Sequence, residues 1–394
     1  MSFYSGFDFF SWLIVILIPA AVLGFWKSKY LRLYRGLASG VFIYLIYSST
    51  PDQLWLLLGY AVFALFLSKG YLVIKNKGWD SDFTFHTAIA LALCLLVLYK
   101  ISALGEGIGG FLGISYICFR SIQVIIEIHD GIIKEIPAYQ YLNFLLFFPS
   151  LSSGPIDRSR RFAEDDLREY SRDEYGTLFE AGVFKIVLGA FYKIVCADIA
   201  HAWMQDFFSR PYGVLTTIGS AYTYGLYLFF DFAGYSSMAV GTAYVLGIKL
   251  PDNFKYPFIS IDMKDFWNRW HISLSTWFRD FIFNRFMMKV LKKKWFASRI
   301  NAASVGYIVN MFIMGMWHGL TPYYITYGLY HGVILALTEI YQRKSKFYKK
   351  QKDKLWYKAV SWFITLNIVM FGFLIFSGYI HTMAKDIIIG AVRK

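Results

Sequence analysis

The chain has 394 residues, of which 57% are hydrophobic, 20% aromatic and only 17% charged, where an ordinary globular domain carries about 25% charged residues. That composition excludes a soluble globular domain and indicates an integral membrane protein. A formal net charge of +14 invites a nucleic-acid partner, but the Lys and Arg residues gather in loops between apolar segments and form no continuous face. Positive-inside bias accounts for most of them, and no nucleic acid is expected.

Each apolar run is read as helix, because lipid supplies no water for open backbone groups and the alternating pattern of an outer-membrane barrel is absent. Phe9 to Trp26 opens the series. It follows Asp8 and no Lys or Arg, unlike a cleaved signal peptide with its basic start, so it is expected to remain as a membrane anchor. Lys27, Lys29, Arg32 and Arg35 come next, which puts the N-terminus outside and this loop in the cytoplasm. The chain then returns outward through Gly36 to Thr50, turns at Pro51-Asp52, and comes back through Gln53 to Ser68 to a loop with Lys75 and Lys77. Phe83 to Tyr99 and Gly107 to Ile126 form the next pair, and Arg120 and Glu127 mark the second of these as facing the protein interior.

Ile136 to Ile156 is uncharged for 21 residues but divided by Pro137, Pro149, Gly154 and Pro155, which predicts a re-entrant or membrane-embedded hairpin. Asp157 to Glu174 reads as a solvated, mixed-charge cytoplasmic segment. Thr177 to Val195 sets Glu180, Lys185 and Lys193 on or beside one helical face, the pattern of an amphipathic, bundle-lining helix. Val214 to Ile248 runs 35 residues with Asp231 as its one charge; it exceeds a span and must tilt, break or contain an extra short helix.

Lys249 to Ile300 mixes 11 basic and four acidic residues with Phe266, Trp267, Trp270 and Trp277. The mixture predicts short interfacial helices, some dipping inward, with snorkelling Lys and Arg and Trp rings at headgroup level. Ala302 to Leu320 and Tyr323 to Tyr341 form a hairpin tied by Thr321-Pro322. The following loop, Arg343 to Lys358, has eight basic residues against Asp353 and is cytoplasmic, and Ala359 to Ile380 is again apolar. The expected fold is all-α: a polytopic membrane protein of about ten transmembrane helices with re-entrant and interfacial helices, in one domain over residues 1–394. Cys94, Cys118 and Cys196 show no ligand or disulfide spacing and read as small buried hydrophobes.

Two histidines carry the chemistry. His271 lies in Asp265-Phe266-Trp267-Asn268-Arg269-Trp270-His271-Ile272-Ser273-Leu274-Ser275, and His318 in Met314-Gly315-Met316-Trp317-His318-Gly319. An imidazole at hydrocarbon depth must find partners or line a hydrated path. With Ala302 at the cytoplasmic face, His318 stands 16 residues on, about 24 Å along a helix, toward the outer half of the bilayer, unless Gly315 or Gly319 is a hinge. His271 enters from the cytoplasmic side, so the pair marks two depths of one transmembrane tunnel. A neutral imidazole serves as general base toward a hydroxyl; each also has a bland reading, His318 as a hydrogen-bonded interior histidine and His271 as part of an interfacial anchor. His331, 13 residues beyond His318 on the returning helix, either faces His318 or packs, and reads first as packing. Asp231 either orients a histidine or amine substrate, or pairs with a lysine or backbone amide. No HExxH, paired Cys ligands, GxSxG elbow or Walker loop is present, so zinc hydrolysis, a serine acyl-enzyme and nucleotide chemistry lose support; no metal is expected.

The order Phe230-Asp231-Phe232-Ala233-Gly234-Tyr235-Ser236, Asn253-Phe254, Pro257-Phe258, Phe266 to Asp280, and Gly315-Met316-Trp317-His318-Gly319 resembles the membrane-bound O-acyltransferases. Asn268 before Arg269, and Phe283-Asn284-Arg285-Phe286 after the motif, favour its D-alanyl-transferring branch over the longer alginate acetyltransferases. The resemblance implies transfer of D-alanine from the phosphopantetheine thioester of a small acidic carrier protein in the cytoplasm, across the plasma membrane of a Gram-positive bacterium, toward lipoteichoic acid or a relay protein outside. It implies His318 as catalytic histidine and His271 as its second, more variable position, with no bound cofactor because the acyl group arrives on the carrier. Candidate substrate-binding residues are Asp231, Trp270, Ser273, Trp317 and Asn310, the last also a candidate oxyanion donor; candidate carrier-docking residues are Lys289, Lys292, Lys293 and Lys294. The rival readings are a polysaccharide O-acetyltransferase of the same family, and a membrane transporter or scaffold.

Overall fold

The protein is described by a computed structural model covering residues 4, 6–102 and 110–392, and no strand occurs among these residues. Its α-helices are, in chain order, α1 (Phe7–Lys27), α2 (Leu31–Tyr47), α3 (Pro51–Asn76), α4 (Asp82–Ser102), α5 (Ile114–His129), α6 (Ala138–Leu146), α7 (Ser159–Leu167), α8 (Arg172–Ala190), α9 (Ala197–Ser209), α10 (Val214–Val245), α11 (Met263–Trp267), α12 (Ile272–Phe278), α13 (Asn284–Lys292), α14 (Arg299–His318), α15 (Pro322–Lys344), α16 (Lys346–Gln351), α17 (Leu355–Phe376) and α18 (Tyr379–Val392). Among the described residues, five helical stretches are long and apolar enough to cross a membrane: Phe7–Tyr47, Pro51–Asn76, Asp82–Ser102, Arg299–His318 and Leu355–Phe376. The chain forms two compact units, one of residues up to Ala190 with Gly234–Asp252, the other of Phe191–Ala233 with Asn253–Lys394.

In the first unit, α1 and α2 fold back on one another at Ser28–Tyr30. Phe9 meets Phe42 at 5.4 Å, and the Tyr34 hydroxyl donates to the Ile16 carbonyl at 2.7 Å. The predicted turn at Pro51-Asp52 lies instead at residues 48–50, because Pro51, which needs no N–H partner, starts α3. The start of the predicted Gly107 to Ile126 segment falls outside the described residues; from Ile114 onward the helix faces inward as its charges required. Arg120 is fully buried and donates to the carbonyls of Phe144 and Leu145 at 2.9 and 3.0 Å and to the Ser150 hydroxyl at 2.6 Å. One guanidinium thus satisfies the irregular backbone of the Pro-divided segment, which is the short helix α6, a turn at Phe148–Ser150 and a buried return.

The segment Asp157 to Glu174 is not simply solvated. It holds α7, and Asp157, Asp165 and Asp166 are buried. Asp166 accepts from Arg35 at 2.9 Å, Arg32 at 3.1 Å and Asn143 at 2.7 Å, while Arg161 pairs with Asp157 and Asp165. Carboxylates can be buried here because each is paired and hydrogen-bonded.

α10, whose first 20 residues belong to the second unit, is a single unbroken helix, so of the three sequence alternatives neither the break nor the extra short helix is present. Phe266, Trp267, Trp270 and Trp277 are buried and are not headgroup anchors, since aromatic partners within the protein take up their faces. Trp270 alone meets Phe254 at 5.0 Å and Phe373 at 4.7 Å. Of the cysteines, Cys118 is buried as expected, but Cys196 is only half-buried and Cys94 is exposed, contrary to the expectation for both.

Candidate active site

The site residues of the second unit hang on the α14/α15 hairpin and on α12. α14 is continuous through Gly315 and ends at His318, where Gly319 turns extended, so Gly315 is not a hinge and the helix runs straight on to His318. From Arg299 to His318 is 19 residue steps, about 28 Å of helix. His318 is half-buried among aromatic rings: Trp317 at 4.5 Å, Phe376 edge-on at 4.9 Å, Tyr324 at 5.9 Å and Tyr327 edge-on at 6.1 Å. These rings cover part of the imidazole and leave the rest accessible.

His271 is held differently. It is 4% exposed and caps α12 with φ 43° and ψ 53°, a left-handed conformation that costs a β-carbon residue roughly 1–2 kcal/mol. The surroundings impose it: the Ile272 amide donates to the Asn253 carbonyl at 2.9 Å, and the Ser273 hydroxyl and amide donate to Asn253 Oδ1 at 2.6 and 3.2 Å. The ring stands edge-on to Phe232 at 4.7 Å, and its Nδ1 has no hydrogen-bond partner among the described residues. His271 lies outside the spanning helices; burial first, and the neighbouring His318 second, push its imidazole below the ordinary value, which keeps it neutral at neutral pH. Strain of this kind persists where the surroundings over-determine it, and such positions cluster at functional sites.

The other candidates separate. Trp317 and His318 are adjacent rings. Trp270 and Ser273 are engaged locally, in the aromatic cluster and on Asn253. Asp231 forms an ion pair with Lys193, the lysine alternative of its two sequence readings. Asn310 is 8% exposed, and its Oδ1 has no partner among the described residues. It lines a cavity of about 300 Å³ with Trp267, Asn268, Arg279, Tyr307 and Met314. Tyr307, Asn310, Met311 and Met314 recur at helical spacing on one face of α14, and His318 is the next residue on that face. Lys289, Lys292, Lys293 and Lys294 are exposed at the end of α13, whose Met287 and Val290 pack on Ala302 and Ala303. Among the described residues, no three His, Cys, Asp or Glu side chains come together as metal ligands would.

Sequence reasoning missed Asn253, Phe232 and Tyr327. Asn253 and Phe232 stand in the motif blocks quoted above, but only the fold reveals that one shapes the α12 cap and the other supports His271.

The model of the membrane-bound O-acyltransferase family matches residues 43–382. The chain is 40% identical to the "Teichoic acid D-alanyltransferase" of Bacillus subtilis (strain 168) over 96% of this chain and 98% of that protein. It is also 40% identical to the protein of the same name from Streptococcus thermophilus, over 96% of each. It is 29% identical to the "Probable alginate O-acetylase AlgI" of Pseudomonas syringae pv. tomato, over 92% of this chain but 66% of that longer protein.

Proposed function

Because the chain belongs to the membrane-bound O-acyltransferase family, we propose that this membrane acyltransferase moves D-alanine from the phosphopantetheine thioester of an acidic carrier protein, across the plasma membrane of a Gram-positive bacterium, toward lipoteichoic acid or a relay protein outside. The N-terminus faces outward in this reading, and the whole of 1–394 acts as one membrane-bound domain. The observation that carries it is the α14 face on which Tyr307, Asn310 and Met314 line the cavity and His318 stands one turn beyond Met314. Near-complete coverage of the D-alanyltransferase relatives, against two thirds of the alginate relative, supports the choice of acyl group.

The carrier docks on the basic surface at Lys289, Lys292, Lys293 and Lys294, and its arm extends into the cavity. Asn310 precedes His318 by eight residues, about 12 Å of helix; that is too far to serve an oxyanion at His318 and suits an amide or hydroxyl of the arm. Beyond the cavity, toward the outer half of the bilayer, the His318 imidazole takes the proton of the acceptor hydroxyl as its oxygen bonds to the thioester carbonyl carbon. The oxyanion is stabilised by a nearby donor, with His271 as helper. Collapse breaks the carbon–sulfur bond, and the imidazolium returns the proton to the departing thiolate. Holding both reactants in one protein-lined site lowers the barrier by positioning alone.

The deciding measurement gives purified protein a D-alanyl carrier and a hydroxyl acceptor. The expected result is acyl transfer by the wild type, and an intact thioester with carrier binding retained in His318→Ala. Normal alanylation by His318→Ala removes the central assignment, and an intact thioester with the wild type returns the protein to a scaffold or transporter role.

A further inference from the structure

His331 is a buried ionisable side chain to which the transfer mechanism gives no role. It is completely buried, and neither Nδ1 nor Nε2 has a hydrogen-bond partner among the described residues. A buried polar group in that state costs free energy that an apolar side chain of similar size avoids. The surroundings nevertheless fit it closely. Gly372 on α17 makes room for the ring: a Cβ there would lie 2.5 Å from His331 Nε2. Three rings meet the imidazole edge-to-face, Tyr327 at 4.5 Å, Trp267 at 5.3 Å and Tyr330 at 5.3 Å, and the Tyr330 hydroxyl ties α15 to α17 through the Ile368 carbonyl at 2.9 Å.

Two of these rings lead elsewhere. Tyr327, one turn before His331 on α15, also stands edge-on to His318 at 6.1 Å. Trp267 lines the 300 Å³ cavity, and its Nε1 is likewise buried without a partner among the described residues. His331 is therefore the shared neighbour of the ring that braces His318 and the ring that walls the cavity.

We propose that His331 is a positioning residue for acyl transfer, fixing His318 through Tyr327 and the cavity wall through Trp267. An imidazole set edge-to-face with aromatic rings makes directional quadrupolar contact that an aliphatic side chain lacks. The proposal rests on the reading of His318 as general base, and the same assay separates the two.

The test compares His331→Leu, His331→Gln and His318→Ala in the purified D-alanyl transfer assay, with melting temperature in detergent measured alongside. His331→Leu is expected to lower kcat by about ten- to a hundredfold, with KM for the carrier unchanged and a melting temperature equal to or above that of the wild type. His331→Gln, which keeps an N–H donor, recovers part of kcat. Full kcat in His331→Leu overturns the proposal, as does a loss that follows a fall in melting temperature and is not recovered by Gln. If His318→Ala is inactive while His331→Leu is normal, this inference alone fails; if His318→Ala is active, the general-base reading fails first.

Discussion

Gly315 and Gly328 bring the backbones of α14 and α15 into contact one turn before His318: a Cβ on Gly315 would lie 2.5 Å from the Tyr324 carbonyl oxygen and 3.1 Å from Gly328 Cα. Small residues permit this close approach in membrane helices, where packing replaces the hydrophobic drive between them. Gly328→Ala places a methyl group 3.0 Å from Gly315 Cα and must part the helices. An overpacked contact costs roughly 1–3 kcal/mol, and displacement of His318 from its aromatic neighbours by about 1 Å lowers turnover up to about a hundredfold. The expected outcome is a kcat defect with carrier binding retained. Wild-type turnover in Gly328→Ala would show that the close approach does not position His318.

Hydropathy alone made α1, α4, α14 and α17 legible, because crossing lipid demands uninterrupted apolar length. Arg120 announced that α5 faces the interior, and the prolines around α6 announced a divided segment rather than one continuous helix. What failed was whatever depended on sequence-distant partners. Asp166 looks solvated until Arg35, 131 residues away, closes on it. Trp267, Trp270 and Trp277 have the composition of an interfacial belt, since an amphipathic ring suits both a headgroup layer and a buried aromatic cluster. For the candidate site, sequence gave both histidines their importance and left their settings open. The left-handed cap at His271 and the Tyr327 contact between His318 and His331 are properties of the fold.

The lysines at the end of α13 give a salt-dependent prediction. Lys289, Lys292, Lys293 and Lys294 are exposed on a helix whose apolar side is anchored by Met287 and Val290, so their charge can change without disturbing the core. Complementary charge speeds encounter and is screened over roughly 8 Å at physiological salt. Replacing all four with Glu is expected to raise KM for the acidic carrier at low salt and to flatten its salt dependence, while kcat at saturating carrier is retained. An unchanged KM at low salt assigns carrier docking to another surface.

Asp80 supplies the pH dependence. It accepts from the Tyr71 hydroxyl and the Lys75 ammonium, each at 2.7 Å, and His129 lies 3.3 Å away. Partial burial pulls its carboxyl pKa upward, but the hydrogen bonds from Lys75 and Tyr71, together with the charges of His129 and Lys75, outweigh that and leave it below the ordinary value. A depressed carboxylate contributes stability that is present above its unfolded pKa, about 4, and is lost as pH falls through the lower folded value. Thermal midpoints in detergent between pH 7 and pH 3 should therefore fall less in Asp80→Asn than in the wild type. Parallel curves for the two proteins would place acid sensitivity elsewhere.

Arg35 makes the largest stability prediction. Its guanidinium is 1% exposed and donates to the Leu246 carbonyl at 2.9 Å, the Asp166 carbonyl at 2.8 Å and the Asp166 carboxylate at 2.9 Å. It joins α2, α7 and the end of α10 within the first unit. Removing one partner of a buried ion pair leaves an uncompensated charge and costs about 3–5 kcal/mol. Arg32 and Asn143 also reach Asp166, so the loss from Arg35→Met should fall toward the lower end of that range. Arg35→Met with Asp166→Leu removes both charges and should recover part of the melting temperature lost by Arg35→Met alone, because the buried carboxylate is gone. If the double variant is no more stable than Arg35→Met, the cost lies in the lost backbone contacts to Leu246 and Asp166 rather than in the stranded charge.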